Sequence, residues 1–341
     1  MRQDVTEQIR EAMQQAFPHP DDPALREYYS LMEYHLGWRD AKLTPAPADT
    51  GKLIRPQLVL LACRALGGTD RHALPLAAGI QLLHDFSLIH DDIEDHSVQR
   101  RGRPTVWKLW GIELGINAGD GMFTVAHRAL YNLSDAGVAP ATVLAVLRGF
   151  EDAILRICEG QHLDLTGERC FDIDEARYLA MIRGKTATLL AASTGLGARL
   201  ATDDAQQVQA MTEFGEALGM AFQMQDDLLD IWGDPQLTGK PYAADLLQRK
   251  MSLPMVHAYT HASDADRATI ERIYRQPRLE EADLQKLLAI LDTTGSRAHV
   301  TALAAQEHDR AIAALGTIRP VDADALDTLR TLAESLLNRT W

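Results

Sequence analysis

The segment Leu88-Ile89-His90-Asp91-Asp92-Ile93-Glu94-Asp95-His96 places four acids within five positions, directly behind an apolar run. On a helix Asp91 and Asp95 lie four apart, so their carboxylates share a face and repel unless a cation intervenes. Carboxylate oxygens with no cysteine nearby favour a hard divalent ion, magnesium rather than zinc. Magnesium keeps several waters and binds a few carboxylates plus substrate phosphates. A solvated acidic helix end accounts for one such cluster about equally well. A second cluster, Gln225-Asp226-Asp227-Leu228-Leu229-Asp230, repeats the aspartate spacing behind another apolar stretch, Phe214 to Met224. Two D-D-x-x-D clusters in one chain, each closing a helix of buried type, tip the balance toward metal.

Working outward, Leu74 to Asp92 reads as a helix whose C-terminal end carries the first cluster. Acids there oppose the helix dipole, a cost that an arriving cation removes. Upstream, Met1 to His35 reads as one or two amphipathic helices, Trp38 to Thr50 as a loop with Pro45 and Pro47, and Leu53 to Leu66 as a helix stopped at Gly67-Gly68. Downstream comes a basic loop from Gln99 to Thr105. Helical patterns follow over Glu113–Leu133, Thr142–Leu163, Ile173–Leu200 and Asp203–Asp230, then a turn at Trp232-Gly233-Asp234-Pro235. Ser252 to Trp341 alternates short helical patterns with polar turns and carries no chemical motif. No run alternates in the manner of a strand, and no solenoid repeat occurs. The expectation is an all-α fold, a large helical bundle. No linker rich in Pro, Gly or Ser divides the chain, so residues 1–341 read as a single domain.

Composition narrows the function. Apolar residues make up 46% and aromatics 6% of 341 residues, enough for a sizeable core and weighted toward helix formers. The formal charge of −14 argues against nucleic acid as a partner, because phosphate contacts need clustered bases. It leaves open a small anion held by metal ions and local bases. Cys63, Cys158 and Cys170 form an odd set without ligand spacing, which fits a reducing cytoplasm. Met1 to Phe17 lacks the apolar core of a signal peptide, and no eighteen-residue uncharged apolar run supports a membrane span.

With the two aspartate clusters, Arg100-Arg101-Gly102 after the first, and Gly51-Lys52-Leu53-Ile54-Arg55-Pro56 upstream, the chain resembles the trans-isoprenyl diphosphate synthases. Lys185-Thr186-Ala187, Phe222-Gln223, Lys240 and Lys250 continue the resemblance in the family's order, over about Gly51 to Pro254. It implies an isoprenoid synthase bundle around a central cavity, a homodimer, and a head-to-tail condensation. In that reaction an allylic diphosphate ionises, the double bond of isopentenyl diphosphate attacks the carbocation, and a proton leaves. Heterolysis needs charge neutralised on the leaving diphosphate, which metal ions and lysines supply.

By carry-over, Asp91, Asp95 and Asp226 are implied as direct magnesium ligands, with Asp92, Asp227 and Asp230 in support. Arg100, Lys185 and Lys240 are implied to grip the allylic diphosphate, with Thr186 and Gln223 beside the cleaving bond. Lys52, Arg55, His84 and Arg101 are implied to hold isopentenyl diphosphate, which binds without metal and needs its own bases; Lys250 follows the second cluster. Each has a plainer reading. Lys52 and Arg55 fall on one helical face and suit snorkelling surface residues, His84 suits a satisfied core histidine, Thr186 suits bonding to its own backbone, and Lys250 suits a solvated base. The ordered set outweighs these. Two departures stand out: Leu53 where many members have a second base, and Ala243 where glycine is common after Gly239-Lys240.

In this family the product grows along the helix before the first cluster, where a bulky side chain acts as a floor. A helical turn rises about 5.4 Å, roughly one isoprene unit. Phe86 stands five residues before Asp91 and the small Ser87 four before it. One aromatic floor implies a short product, geranylgeranyl diphosphate ahead of farnesyl or longer chains; Leu83, Met122 and Phe123 are alternative floors. A class I terpene cyclase would lack bases for a second diphosphate, and a non-catalytic regulatory subunit would have lost aspartates or bases that are retained here.

Overall fold

The computed structural model describes residues 3–46, 48, 51–167, 171–235, 242–276 and 278–337. It is all-α as expected, with one small exception. The helices are α1 (Gln3–Ala16), α2 (Pro23–His35), α3 (Ile54–Ala65), α4 (Asp70–Glu94), α5 (Val106–Trp110), α6 (Ile112–Asp135), α7 (Pro140–Gly167), α8 (Glu175–Ile182), α9 (Thr188–Arg199) and α10 (Ala205–Trp232). They continue with α11 (Ala244–Gln248), α12 (Leu253–His261), α13 (Asp264–Tyr274), α14 (Glu281–Thr293), α15 (Ser296–Gly316) and α16 (Ala323–Leu337). The exception is a two-residue antiparallel hairpin, β1 (Gln99–Arg100) with β2 (Arg103–Pro104), where the sequence promised only a basic loop. Its corner residues Arg101 and Gly102 have φ of 51° and 71°, the pair of positive values that a tight I′-type hairpin turn demands.

Local chemistry explains where several helices begin. Asp22 accepts from the Ala24 N–H at 2.8 Å ahead of Pro23, so α2 starts with a side-chain cap and a proline in its first turn. Asp174 caps α8 through the Arg177 N–H at 2.8 Å, and Ser263 caps α13 through the Asp266 N–H. α3 has no such cap: Leu53 precedes it at φ +47°, outside the helix. Lys52 therefore does not share a helical face with Arg55, a correction to the sequence reading, and Lys52 is exposed while Leu53 is buried.

The chain gathers into two compact units. The first comprises Met1–Gly149, Ser193–Asp204 and Pro320–Ala325. Its hub is α4, which packs along α6 and also against α3 and α1. Small residues let the long helices close: a Cβ on Gly79 would collide with Leu130, so α4 and α6 touch through glycine. Leu76, Ile80 and Leu82 of α4 and Met122 and Leu130 of α6 are fully buried.

The second unit comprises Phe150–Ala192, Ala205–Arg319 and Leu326–Trp341. Here α10 is central, packed along α15 and against the segment Arg183–Ala187. Its core joins Met220, Met224 and Leu228 of α10 to Leu253, Val256, Ile270, Leu287 and Val300. The stretch expected as one helix from Ile173 to Leu200 is interrupted, because Arg183–Ala187 widens into a π-turn between α8 and α9. Gly184 lies directly against Gly160 of α7, and a Cβ on it would meet Gly160 Cα at 2.8 Å and the Arg156 carbonyl at 2.9 Å. An extra residue in a helical turn is a frequent device where side chains must be re-aimed.

Buried His257 lies in this unit with its ring stacked on His261 and His299 at centroid separations of 4.2 and 4.1 Å, and its Nδ1 2.9 Å from the Ser296 hydroxyl. Burial, then the charges of His299 and His261, hold it down at about 4 against an ordinary 6.5, with Glu175 opposing.

Two outcomes follow from these contacts. Gly184→Ala should cost about 1–3 kcal/mol through overpacking of the α7 crossing, read as a lower urea midpoint. As for pH, the unfolded chain takes up a proton at His257 below about 6.5, whereas the native site resists until about 4. Its contribution is thus intact above that window and is lost as pH falls through it. His257→Asn should flatten the fall in stability between pH 7 and pH 5 in urea titrations at both values.

Candidate active site

In the first unit the acidic end of α4 meets the basic hairpin. Asp92 is buried, Asp91 half-buried, and Asp95 exposed at the C-cap. Arg100 on β1 donates its Nε to Asp92 Oδ1 at 2.8 Å, while its Nη2 lies 3.5 Å from Asp91 Oδ2. One guanidinium thus answers two acids that the helix dipole and each other would disfavour. Asp92 Oδ2 is buried and makes no hydrogen bond. Burial outweighs the opposing Arg100 and keeps the Asp92 carboxyl above its ordinary value.

Two turns back along α4 lies a second grouping. Arg55 Nη1 donates to His84 Nε2 at 3.2 Å. An arginine only donates, so Nε2 carries the lone pair and Nδ1 the proton. Burial and then the Arg55 charge hold His84 well below its ordinary value, so the ring is neutral. Burial likewise lowers Arg55, to about 10. Beside them Arg101 Nη2 stands 3.6 Å from Asp85 Oδ1. Arg55, His84 and Arg101 are therefore brought together, with Lys52 on the exposed segment just before α3. Asp85 escaped the sequence reading because it sits inside an apolar run, between Leu83 and Phe86, with no motif around it.

Phe86 and Ser87 follow on α4. Phe86 packs on Phe123 of α6 and on His90, each at 5.0 Å between centroids, and Phe123 in turn on His127 at 4.5 Å. Ser87 bonds the His84 carbonyl of its own helix at 2.8 Å. Leu83 and Met122, the other candidate floors, are fully buried in the core, whereas Phe86 and Phe123 retain exposed surface.

In the second unit the π-turn carries Lys185 and Thr186. Thr186 does not bond its own backbone; its hydroxyl donates to Gln223 Oε1 at 2.9 Å, and Gln223 Nε2 donates to Asp227 Oδ1 at 3.0 Å. The other oxygen of Asp227 accepts from Tyr178 at 2.6 Å and from the Leu253 N–H at 3.3 Å. Asp227 is thus a buried carboxylate with neutral donors on both oxygens, and burial, the largest cause, lifts it to about 7. Asp226 and Asp230 are half-buried on either side of it in sequence. Lys185 donates to Asp164 at 2.5 Å. Tyr178 and Asp164 were missed in the sequence. The available signal was periodicity: Asp164 is a lone acid between Leu163 and Leu165 in a helix, and Tyr178 is an aromatic seven residues, about two turns, before Lys185.

Lys240 and Gly239 lie outside the described residues. Lys250 is exposed beyond α11, joined to the rest by its backbone. Ala243, flagged for replacing glycine, takes φ +54° at the start of α11, the left-handed region where glycine is at ease. Leu53, flagged for replacing a base, points into the core. Among the described residues no three His, Cys, Asp or Glu side chains gather closely enough to form a protein-only metal cage.

A helical fold that carries aspartate pairs near the ends of two of its longest helices, with Arg55, Arg100 and Arg101 in the first unit and Lys185 in the second, fits a class of diphosphate-handling α-enzymes. The family model for polyprenyl synthetase matches residues 42–291, and the chain belongs to that family. It is 39% identical over 312 residues to the geranylgeranyl diphosphate synthase of Mycobacterium tuberculosis, covering 90% of this chain and 87% of the relative. It is also 36% identical over 321 residues to the (2E,6E)-farnesyl diphosphate synthase of Mycobacterium bovis, covering 93% and 87%. The crystal structure of geranylgeranyl pyrophosphate synthetase from Pyrococcus horikoshii superposes with a TM-score of 0.88 at 30% identity, over 99% of this chain and 97% of that one. The protein is a trans-prenyl diphosphate synthase, a transferase acting on allylic and isopentenyl diphosphates, and the family is divalent-metal dependent. No described helix is long and apolar enough to cross a membrane.

Because Tyr178 donates to a buried carboxylate, Tyr178→Phe should cost about 1–3 kcal/mol of stability, read as a lower urea midpoint. An unchanged midpoint would mean that the Asp227 carboxylate does not need this donor.

Proposed function

We propose that the protein is a magnesium-dependent, short-chain synthase that makes geranylgeranyl diphosphate, working as a single-domain protomer of a homodimer. The observation that carries the product length is the pairing of Phe86 with Phe123, two aromatic rings with exposed surface just before the first aspartate cluster. Relatives that make geranylgeranyl and farnesyl diphosphates match this chain about equally, so residues rather than kinship must decide.

The residue roles follow the family resemblance. By the resemblance, Asp91, Asp95 and Asp226 would be the direct magnesium ligands, with Asp92, Asp227 and Asp230 in support. The unpartnered Asp92 Oδ2 and the all-oxygen donor set favour such a hard cation. Magnesium would supply charge neutralisation on the leaving diphosphate. Arg100, Lys185 and Lys240 hold that diphosphate. Arg100 is held by Asp92 and Asp91 and Lys185 by Asp164, and so both are pre-positioned. Thr186 spends its proton on Gln223, which leaves the hydroxyl lone pairs for the allylic cation; Gln223 fixes the threonine. Lys52, Arg55, His84 and Arg101 hold isopentenyl diphosphate, with His84 offering its Nδ1 proton, and Lys250 adds an exposed charge after α11.

The test is product analysis. Purified protein with magnesium, isopentenyl diphosphate and, separately, dimethylallyl, geranyl and farnesyl diphosphates should give the twenty-carbon product, and chelation should abolish turnover until magnesium is restored. Phe86→Ala should shift the product to about one isoprene unit longer, since one helical turn is roughly one unit. A wild-type product of fifteen carbons, or an unchanged product from Phe86→Ala, would overturn the assignment of length or floor.

A further inference from the structure

We infer that Asp85 is a positioning residue for isopentenyl diphosphate, a buried carboxylate that keeps Arg55 and Arg101 side by side and turned toward a diphosphate. The inference rests on the proposed reading that Arg55, His84 and Arg101 bind that substrate. Four elements of the first unit converge on Asp85. It lies on α4 at 2% exposure, with Gln81 one turn back donating to Oδ2 at 2.7 Å. His35, the last residue of α2, brings Nε2 to 3.6 Å from Oδ1, and Arg101 of the hairpin turn brings Nη2 to the same oxygen at 3.6 Å. Arg55, in the first turn of α3, feels the Asp85 charge as well.

Two guanidiniums with little water around them repel, and burial already holds Arg55 down at about 10. Asp85 is the anion that offsets both. Although burial alone would raise its carboxyl, His35 and then Arg101 hold it at about 2, so it is ionised throughout the working range. The geometry of the pairing is as telling as its sign. Gln81 fixes the rotation of the carboxylate, yet Asp85 Oδ1 makes no hydrogen bond, and neither do Arg55 Nε and His35 Nε2. At 3.6 Å the attraction to Arg101 is Coulombic rather than directional. It restrains where the guanidinium sits without spending the N–H fork that a diphosphate would take. The backbone completes the placement, because Arg101 stands at φ +51° in the hairpin corner and its guanidinium lies against Gly51.

The experiment measures KM for each substrate separately, with the other saturating, in the full-length enzyme with magnesium. Asp85→Asn keeps shape and removes charge. It should raise KM for isopentenyl diphosphate about tenfold while leaving KM for the allylic diphosphate within about twofold. Gln81→Leu, which frees the carboxylate to rotate, should give the same split at about threefold, and it decides the matter if Asp85→Asn does not fold. An unchanged KM for isopentenyl diphosphate in the folded variants overturns the inference. So does a lowered one, the result expected if the carboxylate merely repels the incoming anion, and so does an equal rise for both substrates. Arg101→Ala separates the inference from the reading beneath it. If that variant leaves KM for isopentenyl diphosphate unchanged, the binding assignment itself fails. If it raises KM and the Asp85 and Gln81 variants do not, only the positioning role fails.

Discussion

Acids crowded at the wrong end of a helix are the constraint on which this structure turns. Both clusters sit at or near helix C-termini, where the backbone carbonyls already present negative potential and neighbouring carboxylates repel. The two ends meet that cost differently. At α4 a guanidinium, Arg100, is shared by Asp91 and Asp92. On α10 the buried Asp227 is surrounded by neutral donors from Tyr178, Gln223 and the Leu253 backbone. The first solution neutralises charge and the second only solvates it, which is why burial leaves Asp227 near 7. In the proposed reading this division is useful: Arg100 is the cation that exchanges its carboxylates for phosphate oxygens, while the donors around Asp227 fix Gln223 and, through it, Thr186.

The architecture was legible because its signals are periodic and redundant. Apolar spacing of helical type recurs along nearly the whole chain, and Pro and Gly punctuate it, so α3, α4, α6, α7 and α10 fall close to their expected bounds. What could not be read were features that depend on contact between distant segments. Nothing local in Arg183-Gly184-Lys185-Thr186-Ala187 announces a π-turn; it arises where Gly184 meets Gly160 at close approach. Nothing in Gln99-Arg100-Arg101-Gly102-Arg103-Pro104 alternates enough to be a strand, yet positive φ at Arg101 and Gly102 closes a hairpin. The supposed common face of Lys52 and Arg55 failed for a similar reason: Leu53 leaves the helical region of the backbone, and α3 starts beyond it.

The site divides along the same line. Of the proposed site residues, Asp91 and Asp226 were visible through the repeated aspartate spacing, and Lys185 and Arg100 through the motifs that carry the family resemblance. Residues that orient them were not, because a supporting group is chosen for where it lies in space. Asp85, Tyr178 and Asp164 each look like an ordinary member of a helix in one dimension, and each makes a short or charged contact with a motif residue in three.

Product length belongs to the second kind of property. The rule of one turn per isoprene unit treats the floor as a position on one helix, but Phe86 on α4 is backed by Phe123 on α6, and Phe123 by His127. α4 and α6 come close enough for this contact because Gly79 lets the helices touch. In the proposed reading the floor is therefore a stack rather than a residue. A side chain propped from behind cannot rotate away under a growing chain, so the height of the floor is set by the spacing of two helices as well as by the identity of Phe86. Two relatives with the same residue before the first cluster can then differ in product through the helix behind it. That is a physical reason why a geranylgeranyl and a farnesyl synthase can resemble this chain to nearly the same degree.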